Sequence, residues 1–181
     1  FVEEAQVTGQ LEHPGIPPIH EMAINEAQEV FFTMKLLKGR TLKEIIKDLH
    51  IGRRDVREQF SRTRLLQILL SVCHAVHFAH EKGVIHRDIK PSNVLLGDQG
   101  AVLSDLGLAQ LLSRDATLTG MGPIGTLAFM EPGVARGEEA SRASDIWSLA
   151  ATLLTALTGQ GPFPNLPTDN LIQALTHLLR E

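Results

Sequence analysis

Hydrophobic residues along the chain alternate between two spacings. Near the start, Phe1 to Leu11 carries Val2, Ala5 and Leu11 at helical intervals, and His13-Pro14-Gly15 stops it. Ile16 to Ile24 is a strand candidate weakened by Pro17 and Pro18, Asn25 to Glu29 is a polar connection, and Val30 to Met34 is a β run. Together the two runs predict an antiparallel hairpin. Lys38-Gly39-Arg40 breaks the pattern, and Thr41 caps a short helix through Leu49 with Leu42, Ile45, Ile46 and Leu49 on one face. The charged segment His50 to Phe60 reads as a surface loop, with Gly52 to Glu58 either solvated or open to a partner. Ser61 then caps the strongest helix, whose Leu65, Ile68, Leu69, Val72, Val76 and Ala79 follow the i, i+3, i+4 rule until Gly83.

Beyond Gly83, two β-prone runs close on a polar centre in Val84-Ile85-His86-Arg87-Asp88-Ile89-Lys90-Pro91-Ser92-Asn93-Val94-Leu95-Leu96. Pro91 excludes a continuous helix, so the pattern predicts a tight loop between short strands. Asn93 to Leu96 and Ala101 to Ser104 form a strand pair turned by Gly97-Asp98-Gln99-Gly100. Leu108 to Met130 lacks periodicity and reads as a long loop of the kind that carries function. An apolar helix starts at Ser144 or Asp145 and runs to Thr158, with Gly159 as its stop, and a last helix starts near Thr168. The fold class is α+β with a helical majority.

Composition narrows the function classes. The 181 residues are 43% hydrophobic and 21% charged, which argues against disorder, and a net charge of −4 argues against a general nucleic-acid binder. No apolar run approaches the length of a membrane span, and nothing at the N-terminus resembles a signal peptide. The single cysteine, Cys73, lies in an apolar helical run and reads as a buried, inert thiol, so a reducing cytoplasm is the default compartment. His74, His77 and His80 recur every third residue and drift around their helix, which does not suit a zinc site.

The candidate chemistry lies in Asp88, Lys90, Asn93 and Asp105. Amide and carboxylate oxygens from Asn93 and Asp105 suit Mg²⁺, a hard cation. Asp88 is suited to orient a hydroxyl and accept its proton, and Lys90 to neutralise charge on a transferring phosphoryl group. Those tasks together are phosphoryl transfer. A hairpin with charged turn residues would account for a lone Asp-x-Lys, but not for the whole pattern followed by Ser104-Asp105-Leu106-Gly107 at a strand end.

His86-Arg87-Asp88-Ile89-x-x-x-Asn93 and Asp105-Leu106-Gly107 resemble the catalytic and metal-binding motifs of protein kinases, and the chain resembles the bacterial serine/threonine kinases of the eukaryotic-like type over nearly its whole length. The resemblance implies a kinase-like α+β fold. Residues 1–34 would be the remainder of the N-lobe, 35–40 the hinge, and 41–181 a mainly helical C-lobe up to about the αG helix. It implies ATP and Mg²⁺ (or Mn²⁺) as cofactors, and as partners protein substrates and the protein itself, by autophosphorylation. By position, Glu4 matches the acid that pairs with the ATP lysine, a lysine this chain does not contain. Met34 matches the gatekeeper, and Lys35, Leu36 and Leu37 the adenine-binding hinge. Asp88 matches the catalytic base, Lys90 the phosphate-contacting lysine, and Asn93 and Asp105 the metal ligands. Thr126, in Gly125-Thr126-Leu127-Ala128-Phe129-Met130, matches the substrate-loop residue that contacts Asp88 and Lys90. Asp145 matches the acid that braces the backbone at His86 and Arg87. Arg87 matches the arginine that pairs with a phosphate on the activation loop, where Thr117 and Thr119 are candidate phosphosites.

Two departures bear on activity. The match begins at the αC helix, without the Gly-rich loop or the lysine strand, so this stretch alone is expected to be inactive and short of core. Glu131-Pro132-Gly133 stands where the family has Ala-Pro-Glu, with Gly133 at the Glu position and Glu131 a possible stand-in. A pseudokinase acting as a binding or regulatory module is therefore the alternative, and a small-molecule kinase of related fold is a third reading. Bacterial relatives often carry a membrane segment elsewhere, which leaves membrane anchoring of the parent protein open.

Overall fold

The structure is a computed structural model, and it describes residues 11–24, 30–98, 100–106, 124–167 and 170–179. Strand β1 (Ile19–Ile24) starts directly after the two prolines and pairs antiparallel with β2 (Val30–Met34), in a register interrupted once between Ile19 and Glu21. A second sheet has three strands in the order β3 (Arg40–Thr41), β4 (Val94–Gly97), β5 (Gly100–Leu103). The sequence pattern does not reveal β3, because two residues are too few to show an alternation. Its partners Leu96 and Leu95 supply the ladder.

Helix α1 (Leu42–His50) begins at a reciprocal cap. The Thr41 hydroxyl accepts from the Glu44 N–H, and the Glu44 carboxylate accepts from the Thr41 N–H at 2.7 Å. Residues 50–60, expected as a loop, contain a short helix instead, α2 (Arg54–Gln59). Val56 is buried there, and Arg54 pairs with Glu58 one turn on, so charge along this run is compatible with helix. Helix α3 (Arg62–Glu81) has the Ser61 hydroxyl as N-cap, and every residue of its expected apolar stripe is buried. Cys73 lies about 100° around the helix from Val72 and is exposed, contrary to the expectation of a buried thiol. Local desolvation still holds that thiol above its usual pKa.

Val84 and Ile85 do not form a strand. The Val84 N–H goes to the Ala79 carbonyl at the end of α3 and the His86 N–H to Asp145, so no ladder partner is available. Pro91–Asn93 is a single 3₁₀ turn leading into β4. Two short helices follow, α4 (Ile124–Leu127), inside the stretch expected to be a loop, and α5 (Pro132–Ala135). Helix α6 (Arg142–Thr158) starts slightly earlier than its apolar pattern suggests, because Ser141 and Ser144 make a capping box. It ends at Gly159 with φ +77°. Helix α7 (Leu171–Leu178) closes the described chain. Among the described residues no helix is long and apolar enough to cross a membrane.

The main core joins α1, α3 and α6 to the sheet through Leu42, Leu69, Val72, Val76, Val94, Leu103 and Leu149, with Ile89 of the central loop inside it. A second cluster, Leu11, Ile16, Ala75, Ala79 and Leu106, packs the first described segment on α3. The Gly15 carbonyl accepts from the Leu103 N–H at 2.8 Å and so fixes the strand end that leads to Asp105. A third, Leu127, Ala135, Leu166, Ala174 and Leu178, unites α4, α5 and α7.

Candidate active site

The loop 84–93 is anchored at both ends by core residues, and its polar centre is organised by two buried groups. Asp145, on the first turn of α6, is 1% exposed. Its Oδ2 accepts from the His86 N–H at 2.8 Å and its Oδ1 from the Arg87 N–H at 2.9 Å. Between these bonds Arg87 adopts φ +68°, a left-handed conformation costly for a residue with a side chain and stable only where its surroundings fix it. His86 is the second group. Its Nδ1 accepts from the Asp88 N–H at 3.3 Å, which assigns the ring proton to Nε2, and Nε2 donates to the Ser104 carbonyl at 3.0 Å. Burial pushes the His86 pKa below its usual value, against an opposing pull from Asp145, so the ring is neutral as this tautomer requires.

Asp88 emerges from this frame. Its Oδ2 accepts from Lys90 Nζ at 2.7 Å and from Asn93 Nδ2 at 3.0 Å. Asn93 Nδ2 also donates to the Asp88 carbonyl at 2.8 Å, and Lys90 Nζ donates to Thr126 Oγ1 at 2.8 Å. Among the described residues Asp88 Oδ1 has no partner. One carboxylate oxygen is thus clamped, while the other is enclosed and has no partner among the described residues. The segment 126–130 is tied to α6 by Ser148 Oγ, which donates to the Phe129 carbonyl at 2.8 Å.

Asp105 follows β5 with an exposed side chain and φ +58°. The Asn93 amide nitrogen faces Asp88, and its oxygen, which accepts only a long bond of 3.4 Å from Ser92 Oγ, has a lone pair left for another ligand. Asn93 and Asp105 therefore offer a donor set of amide and carboxylate oxygens, which fits a hard divalent cation. Among the described residues no three His, Cys, Asp or Glu side chains cluster as a metal site, so such a cation would complete its shell with water or phosphate oxygens, as Mg²⁺ prefers.

The structure therefore gathers Asp88, Lys90, Asn93, Thr126 and Asp145 through bonds to one another or to the loop. Arg87 sits in the same loop. Met34 and Leu37 are half-buried and Lys35 is exposed. The Lys35 N–H donates to the Pro18 carbonyl, which ties this segment to the hairpin rather than to the Asp88 cluster. Glu4, Thr117 and Thr119 lie outside the described residues. Two contributors escape the motif reading. His80 Nε2 lies 2.7 Å from Asp145 Oδ2, and an Arg142 guanidinium nitrogen donates to the His80 carbonyl. The available signal was a polar residue four positions after Val76 on the buried stripe of α3.

A family model described as the protein kinase domain matches residues 1–180. The serine/threonine-protein kinase PknD of Protochlamydia amoebophila is 35% identical over 185 residues, covering 90% of this chain and 19% of the relative. PknJ of Mycobacterium tuberculosis, also a serine/threonine-protein kinase, is 34% identical over 169 residues, covering 90% of this chain and 27% of the relative. The chain thus spans about a fifth to a quarter of the length of these relatives. Among solved structures, the kinase domain of M. tuberculosis PknI is similar with a TM-score of 0.69 at 24% identity, covering 99% of this chain and 64% of that one. That likeness establishes the α+β kinase fold. With the family model matched from the first residue to the penultimate one, the chain belongs to the protein kinase domain family.

Proposed function

We propose that the protein carrying this chain is a serine/threonine protein kinase, transferring the γ-phosphoryl group of ATP to hydroxyls of protein substrates. The observation that carries this reading is the asymmetry of Asp88, with Oδ2 held by Lys90 and Asn93 and Oδ1 without a partner. In this reading a substrate hydroxyl donates to the part-exposed Asp88 carboxylate, which aims its oxygen at the phosphorus. The O–P bond forms as the bond to the departing ADP breaks, and the hydroxyl proton passes to Asp88. Lys90 bridges Asp88 and Thr126, so its charge sits beside the transferring group. Asn93 and Asp105 would hold the divalent cation, which when bound neutralises phosphate charge. Asp145 acts at one remove, by fixing the loop backbone. Met34, Lys35 and Leu37 serve adenine binding, Glu4 pairs with the ATP lysine, and Arg87 with Thr117 or Thr119 supplies regulation by phosphorylation.

The test is transfer of label from ATP by the full-length protein, to itself and to a generic protein substrate. Asp88→Asn should reduce the rate by about a hundredfold or more while the protein stays folded. Unchanged activity in this variant would remove Asp88 as the base. No transfer by the folded wild-type protein with ATP and Mg²⁺ would favour the regulatory-module alternative.

A further inference from the structure

Beside the Asp88 cluster, and sharing Lys90 and Thr126 with it, lies a cavity of about 450 Å³. Its polar lining consists of Lys43, Lys90, Ser92, Thr126 and Thr155, with Phe129 among its apolar walls, and among the described residues no carboxylate lines it. The charges around it are unequally compensated. Lys90 is paired with Asp88 at 2.7 Å. Lys43 has no hydrogen-bond or ion-pair partner for its ammonium group among the described residues. The acids nearest to it in sequence are engaged elsewhere, Glu44 by Thr41 and Asp48 by Arg40 and Arg53. An open, hydroxyl-lined cavity with one uncompensated cation selects an anionic occupant.

We propose that this cavity receives an anionic side chain next to the accepting Ser or Thr of the substrate, and that Lys43 determines this specificity. The proposal rests on the kinase reading, which puts the acceptor hydroxyl at Asp88, and Lys90 both pairs with Asp88 and lines the cavity. The residues flanking the acceptor then pass over the cavity. A carboxylate or a phosphate group there would meet the Lys43 ammonium group.

The full-length protein tests this with peptides of one Ser or Thr acceptor, each flanking position carrying Asp, Glu, phosphoserine, Ala or Lys in turn. The expected result is a roughly fivefold to tenfold higher kcat/KM for an anionic residue over Ala at one flanking position, with Lys the poorest. Lys43→Glu should reverse that order. Lys47→Glu, the same charge change one turn along α1 and outside the cavity, should keep it. Phosphoserine exceeding Asp and Glu would identify phosphate as the ligand, and parity would identify carboxylate. Equal rates for all peptides, or an anionic preference surviving Lys43→Glu, would overturn the proposal while leaving the kinase reading intact. Absence of transfer to every peptide and to the protein itself would overturn both.

Discussion

His80 and Asp145 meet at 2.7 Å between α3 and α6, and both side chains are almost completely enclosed. The same Asp145 carboxylate holds two consecutive amides of the central loop. Asp145→Ala would leave His80, His86 N–H and Arg87 N–H without this acceptor at once. The expected loss of stability is about 3–5 kcal/mol, measured by urea unfolding. His80→Ala removes one partner only and should cost about 1–3 kcal/mol. Equal, small effects from both variants would contradict the bracing role given to Asp145.

Stability should fall in mild acid, and His86 fixes the direction. Its native pKa is depressed below the usual 6.5, chiefly by burial. The unfolded chain therefore binds this proton first as pH falls. The contribution of neutral His86 is fully present above 6.5 and declines through the interval down to the native value. The slope approaches about 1.4 kcal/mol per pH unit for one proton. Urea midpoints at several pH values below neutrality should show it, and His86→Asn should flatten it.

Thr152 is fully buried on α6, and its hydroxyl has no partner among the described residues. Thr152→Val exchanges that hydroxyl for a methyl group of similar shape. We expect a gain of about 1 kcal/mol, read as a raised denaturation midpoint. A loss would mean that the hydroxyl is satisfied in solution.

Two glycines should respond in opposite ways to alanine. Gly39 has φ +149°, and an added Cβ would run into the Leu96 carbonyl, which is backbone in β4 and cannot yield. Gly39→Ala should cost well over 1 kcal/mol. At Gly133, the new Cβ would meet only the tip of the Glu138 side chain, which is exposed and held by no more than a surface ion pair with Arg136. Gly133→Ala should stay within about 0.5 kcal/mol of the parent. Thermal denaturation of the two variants makes the comparison.

The helices α1, α3 and α6 were legible because each pairs a capping hydroxyl with an apolar stripe of the right period. The loop 84–93 was legible because its charged residues stand at fixed spacing around Pro91. Propensity could not say that Val84 and Ile85 lack a strand partner, since that depends on where the end of α3 and Asp145 lie. Nor could it recover α2, where one buried Val56 suffices to dock a charged turn. His80 was missed as a brace because its partner is distant in sequence. Cys73 was misplaced because apolar neighbours along a chain need not share a helix face.

The two amides held by Asp145 carry a consequence for motion. A backbone N–H bonded to an enclosed carboxylate exchanges its hydrogen with solvent only when that carboxylate is withdrawn. Asp145 can withdraw only if α6 parts from α3, and that separation opens the main core. The His86 and Arg87 amides should therefore exchange at the rate set by global unfolding, although they lie in a loop. The segment beside the proposed base should then be as long-lived as the core helices.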